Sequence, residues 1–261
     1  MVFHARLVLV MKTKFCRLVV AGILSLCSLD AMAQTNAIVS TNTVVKYPWA
    51  SSANAGLTLT RGNSDTLLFT VKLLTDKKTP VNEYNFDADG AYGDNNSVKS
   101  AETLHGFGQW NHLFSDKFYG YVRLEGLHDG IAGVKYRFTL GPGAGYYLIK
   151  DTHTTLATEI GGSYVFEKLG DEDTAYETLR FAERFEHKFK NYGARTWETL
   201  EILPQVDNFN NYLMNAEVGI EAAIAKNLSL QAYIDDNFNN QPAAGLKKND
   251  VKLVSGISYK F

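Results

Sequence analysis

The chain is poor in the features that usually identify an exported protein's chemistry. Its 261 residues include only two cysteines, Cys16 and Cys27. Both fall inside an N-terminal stretch with the build of a secretory signal. Lys12, Lys14 and Arg17 form its basic region, Leu18 to Leu29 its mostly apolar run, and Ala31-Met32-Ala33 a small-x-small cleavage site. Cleavage there starts the mature chain at Gln34 with no cysteine, which excludes a disulfide framework. The apolar run is well short of the roughly 20 residues a spanning helix needs, so a membrane anchor is the weaker reading. Leu24-Ser25-Leu26-Cys27 looks like an acylation box, but bulky Leu26 stands where a small residue belongs.

Long apolar runs are also missing after residue 33, so a membrane-spanning helix is not available to the mature chain. Hydrocarbon offers no partner to an open sheet edge, and only a closed barrel remains as a spanning form. Basic excess is missing too. Loss of residues 1–33 removes Arg6, Lys12, Lys14, Arg17 and Asp30, leaving 26 − 4 = 22 basic and 28 − 1 = 27 acidic side chains, a net charge of −5. That balance gives no electrostatic basis for binding nucleic acid.

What is present is period-2 alternation. Residues 34–48 are polar with little periodicity and read as a flexible lead-in. From Trp49 to Phe261, twelve segments alternate apolar and polar residues between clusters of Gly, Asn, Asp and Lys, the pattern of a transmembrane barrel. In one segment Tyr84, Phe86, Ala88, Gly90 and Tyr92 oppose Asn85, Asp87 and Asp89. In another Val134, Tyr136, Phe138, Leu140, Ala144, Tyr146 and Leu148 oppose Lys135, Arg137, Thr139, Gly141, Gly143 and Gly145. Three glycines on one face relieve crowding where a strand curves inside a barrel. Tight returns at 115–117, 150–151 and 225–227 contrast with longer polar loops at 61–65, 93–99, 169–174 and 236–250. This is the asymmetry of short periplasmic turns and long extracellular loops. An even strand count returns both termini to the periplasm. The expected fold is therefore all-β, a transmembrane antiparallel up-and-down β-barrel of about 12 strands, in the bacterial outer membrane of a Gram-negative cell. Trp49, Phe114, Tyr146, Tyr164, Phe166, Phe189, Tyr212, Tyr259 and Phe261 are candidates for two aromatic girdles.

The last strand carries Gly256, Tyr259 and Phe261, and resembles the terminal signal that outer-membrane barrels present to their assembly machinery. Val254 departs from that pattern, which has a polar residue at its position.

Trp49 with the segment ending in Arg61-Gly62-Asn63, then Tyr136-Arg137-Phe138 leading into Leu140-Gly141-Pro142-Gly143-Ala144-Gly145-Tyr146, and the closing Tyr259-Lys260-Phe261 together resemble the salt-induced outer-membrane protein family. This is a bacterial β-barrel family of unknown function, and the likeness spans residues 49–261. It implies an outer-membrane barrel with links to salt or envelope stress, and it brings no catalytic residues.

Thirteen charged residues are expected to face the lumen: Arg123, Glu125, Lys135, Arg137, Glu159, Glu167, Arg180, Arg184, Glu186, Lys188, Glu217, Glu221 and Asp235. They either ring a narrow pore or fill the lumen with mutually neutralising pairs. Barrels of about eight strands are filled by side chains, those of about 16 hold channels, and twelve lies between. His105, His112, His128, His153 and His187 form no His-x-Ser motif and no metal-ligand spacing. The reading is thus of a non-enzymatic barrel with no cofactor or metal, whose partners are outer-membrane lipids, the assembly machinery and small solutes. The alternatives are a barrel-borne lipid hydrolase and a soluble periplasmic lipid-binding barrel whose apolar face points inward.

Overall fold

The computed structural model describes residues 46–60, 66–96, 98–190 and 193–261. The expected signal peptide, most of the lead-in and the 61–65 loop lie outside them. Twelve strands follow one another: β1 (Ala50–Thr60), β2 (Thr66–Lys78), β3 (Asn82–Asn95), β4 (Val98–Leu113), β5 (Phe118–Asp129), β6 (Val134–Lys150), β7 (Thr154–Leu169), β8 (Glu172–Phe189), β9 (Ala194–Pro204), β10 (Tyr212–Ala223), β11 (Leu228–Asn239) and β12 (Asn249–Lys260). Each pairs antiparallel with its sequence neighbours, and β1 pairs with β12 to close the barrel. The closing seam sets Ser52–Gly56 against Gly256–Lys260.

The alternation resolves inside out. Leu57, Phe69, Leu73, Leu104, Leu124, Leu140, Ile160, Ile220 and Ile257 stand exposed on the outer wall. Among the described residues, polar and charged side chains such as Gln109, Asn111, Glu159, Thr178 and Arg180 dominate the buried set. A soluble lipid carrier needs the opposite arrangement, with apolar side chains lining its cavity. Trp49, Phe114, Phe118, Tyr146, Phe189, Tyr259 and Phe261 are exposed toward the end where β1 begins and β12 finishes, here called the termini end. Tyr164 packs on Phe166 and Tyr212 stacks on Phe238 toward the opposite end. The outward aromatics thus gather in two bands, one toward each end of the barrel.

Turns at the termini end are short and locally capped. In the β6–β7 turn the Asp151 carboxylate accepts the backbone N–H groups of His153 at 2.7 Å and Thr154 at 2.6 Å. These bonds hold its carboxyl below the usual carboxylate range.

At the opposite end two expected loops are strand instead. β3 and β4 are joined through residues 96–97, where Asn96 has a φ of 51°, and the stretch 93–99 is mostly ladder. The acidic stretch 169–174 contains only a turn at Gly170-Asp171, with Glu172 to Thr174 already paired in β8. Gly170 at φ 59° permits so tight a hairpin. Strand ends outside the apolar belt are solvated on both faces, so alternation disappears there while the ladder continues. β11 likewise runs on to Asn239, shortening the loop expected at 236–250.

The inner face of β6 is cut to fit tyrosines. A Cβ at Gly145 would overlap the Tyr119 ring, and one at Gly143 would overlap the Tyr121 ring. Glycine at these positions lets both rings, from β5, lie across the neighbouring strand. Tyr119, Tyr121, Tyr147 and Ala157 form the one apolar cluster found inside the described barrel.

Candidate functional site: an ion-paired lumen

Inward-facing positions on β3 to β9 place charged and amide side chains at similar depth, and their reach lets them meet across the lumen. Arg180 on β8 donates from Nη1 to Glu159 Oε2 on β7 at 2.7 Å and to the Tyr121 hydroxyl on β5 at 2.9 Å. Its Nε donates to Glu201 on β9. The side chain is 3% exposed, so these are desolvated charges whose pairing is obligatory. Glu159 also accepts from Gln109 at 2.8 Å and from the Tyr119 hydroxyl at 2.9 Å. Gln109 on β4 accepts in turn from Arg184 on β8 at 2.9 Å, four strands away around the wall. Arg123 on β5 pairs with Glu125 at 2.7 Å and comes within 4.0 Å of Glu201 on β9. Its guanidinium lies 3.7 Å from the centre of the Phe107 ring.

A second set spans the other side. Lys72 on β2 reaches Glu217 on β10 at 3.0 Å, across the seam, and lies 3.4 Å from Asp87 on β3. Lys252 lies 3.9 Å from Asp235. Toward the termini end, Arg195 bridges Glu221 at 2.7 Å and Glu186 at 3.4 Å, while Lys260 also pairs with Glu221. Toward the other end, Arg137 pairs with Glu167 at 2.7 Å, and the Tyr176 hydroxyl donates to the same carboxylate at 2.8 Å. A cavity of about 190 Å³ opens there, lined by Leu68, Ala101, Thr103, Asp129, Asp250 and Lys252 among others.

Eleven of the thirteen expected lumen charges therefore join these inner sets, and two do not. Lys135 is 55% exposed and pairs with Asp171 at the β7–β8 hairpin tip, 2.8 Å away. An irregularity in register between Val134 and Tyr136 accompanies this, and Val134, expected outward, is buried. Lys188 is 60% exposed at the mouth and its ammonium pairs with Glu186 along its own strand, at 2.9 Å. Lys72, Asp87, Asp89, His105, Gln109, Tyr119, Arg195 and Glu201 were not among the expected site residues. Alternation on β3 signals the acids, but their partners depend on cross-lumen register, which no local pattern carries.

Among the described residues, His187, His112 and His128 show no base-and-orienter set of the kind that activates a nucleophile. His187, on the outer wall, has Nδ1 2.9 Å from Thr154 Oγ1. Among the described residues no carboxylate is hydrogen-bonded to it to orient the ring. His112 bonds Asn82 and His128 a backbone carbonyl.

Residues 53–261 match the family described as "Protein of unknown function, DUF481". The chain belongs to that family. Solved structures similar to this DUF481 barrel include a NanC porin, with a TM-score of 0.50 and 6% identity over 81% of this chain and all of that one. A KdgM porin aligns with a TM-score of 0.44 and 9% identity over 82% and 99% of the two chains. The β domain of the Bordetella autotransporter BrkA gives 0.39 and 11% over 82% and 98%. At such identities the likeness is one of fold. No curated protein matches the sequence.

Proposed function

We propose that this DUF481 protein is a non-enzymatic outer-membrane barrel whose lumen is plugged at mid-height by its own side chains, leaving at most a narrow path for small ions and water. The observation that carries this reading is the set of polar contacts between strands three or four apart, Arg184 to Gln109, Arg180 to Tyr121 and Lys72 to Glu217. An open pore of twelve strands needs those walls separated by water. The outer apolar belt and its two aromatic girdles support placement in a bilayer. In this reading residues 1–33 direct export and are removed, both termini face the periplasm, and Gly256, Tyr259 and Phe261 present the terminal strand to the assembly machinery. A role in salt or envelope stress rests on the family resemblance, and a rise in transcript at raised osmolarity is its test.

Fractionation with heat-modifiable migration tests the membrane placement: the folded protein partitions with outer-membrane lipids and runs faster unheated than boiled. Recovery with the soluble periplasmic contents would refute it. Liposome swelling tests the plug. Wild-type vesicles should exclude a monosaccharide, and sugar entry at porin-like rates would overturn the occluded reading.

A further inference from the structure

We propose that the lumen holds a site for a divalent first-row transition cation such as Zn²⁺, formed by Asp87, Asp89 and His105, with Glu125 orienting the histidine. Asp87 and Asp89 are two residues apart on β3 and so share its inner face. His105 is the direct cross-strand partner of Asp89 on β4. One ligand atom from each of the three lies within 4.8 Å of the other two. Zinc sits roughly 2.0–2.2 Å from carboxylate oxygen and imidazole nitrogen. Two carboxylate rotamers can draw in over that difference without moving the ladder.

One observation points to a ligand, and two further features fit it. The Asp87 side chain is buried, with the residue 8% exposed, and its Oδ1 has no hydrogen-bond partner. A buried carboxylate oxygen left unpaired is costly unless something supplies a positive partner. Next, His105 is held as a metal-binding histidine is held. Its Nδ1 faces Asp89 Oδ1 at 2.8 Å, and its Nε2 lies 3.2 Å from Glu125 Oε1. Glu125 is itself fixed by Arg123 at 2.7 Å. With the Nε2 N–H held by Glu125, an ion would take the place of the proton that Nδ1 shares with Asp89. Finally, the local charges do not balance. Five carboxylates, Asp87, Asp89, Glu125, Glu217 and Asp235, outnumber the three permanent cations beside them, Lys72, Arg123 and Lys252. A divalent ion supplies positive charge where it is short.

Space lies beside the site. Asp89, Thr103 and Lys252 border a pocket of about 20 Å³, room for about one water-sized occupant. Thr103 and Lys252 also line the larger cavity at the barrel end. A carboxylate-rich set with one imidazole favours zinc or its neighbours over the all-oxygen shells preferred by magnesium or calcium.

The test uses untagged, chelator-stripped barrel in detergent, titrated calorimetrically with Zn²⁺ and spectroscopically with Co²⁺, whose visible absorption reports nitrogen coordination. The wild type should take one equivalent of either ion, with Zn²⁺ displacing Co²⁺. Asp89→Asn and His105→Gln should weaken binding by more than about 100-fold, while Glu125→Gln, which leaves the ligands in place, weakens it by about 10–100-fold. Heat-modifiable migration shows that each variant is folded. Should a variant not fold, the wild-type titration still decides, with protection of His105 from diethyl pyrocarbonate by Zn²⁺ as its second readout. Absence of stoichiometric binding by the wild type would overturn the proposal, as would binding equally tight in folded Asp89→Asn and His105→Gln. Neither result bears on whether the lumen conducts.

Discussion

Replacing Arg180 by methionine is the most informative single perturbation of the lumen. The side chain is 3% exposed and engages Glu159, Glu201 and the Tyr121 hydroxyl. Methionine fills a similar volume but leaves two carboxylates in a desolvated site. Breaking a buried pair from one side costs about 3–5 kcal/mol, because the stranded charge retains its desolvation penalty. Glu159 keeps Gln109 and Tyr119 as donors, which places the loss toward the lower end of that range. Removing the stranded charges should restore stability. Arg180→Met with Glu159→Gln and Glu201→Gln is therefore expected to recover most of the loss, a non-additivity proper to groups sharing one network. Urea unfolding in lipid vesicles, followed by tryptophan fluorescence from Trp49, Trp110 and Trp197, measures both. A loss below about 1 kcal/mol for Arg180→Met, or a triple variant no more stable than the single one, would refute the reasoning.

Gly145→Val forces a branched side chain into the Tyr119 ring and should cost about 1–3 kcal/mol by overpacking, read by the same unfolding assay. Lys188→Ala removes an exposed pair at the mouth and should change stability by less than about 1 kcal/mol. An equal effect of Lys188→Ala and Arg180→Met would mean that burial does not set the worth of these charges.

Strand number, closure and wall polarity were legible in the sequence because a two-sided wall repeats every second residue for the whole height of the apolar belt. Phe138 and Leu140 against Arg137 and Thr139 show that regularity. Legibility failed where the constraint stops. Glu172 to Thr174 belong to a solvated strand end and alternate no longer. Lys135 keeps the parity of a lumen residue but sits above the belt beside Asp171. The inner acids and bases were identifiable by parity, yet the meeting of Arg184 with Gln109 depends on how β4 and β8 face one another across the barrel. For the same reason His105 gave no metal-like spacing: its companions Asp87 and Asp89 lie 18 and 16 residues away, brought together by the β3–β4 register.

The central claim is that the side-chain network fills the lumen. Planar-bilayer recording tests it most directly, comparing the wild type with an Arg184→Ala, Gln109→Ala double variant that removes the β4–β8 bridge. The wild type should give no steps or very small ones, and the double variant larger steps. Large, stable steps from the wild type, unchanged in the variant, would contradict it.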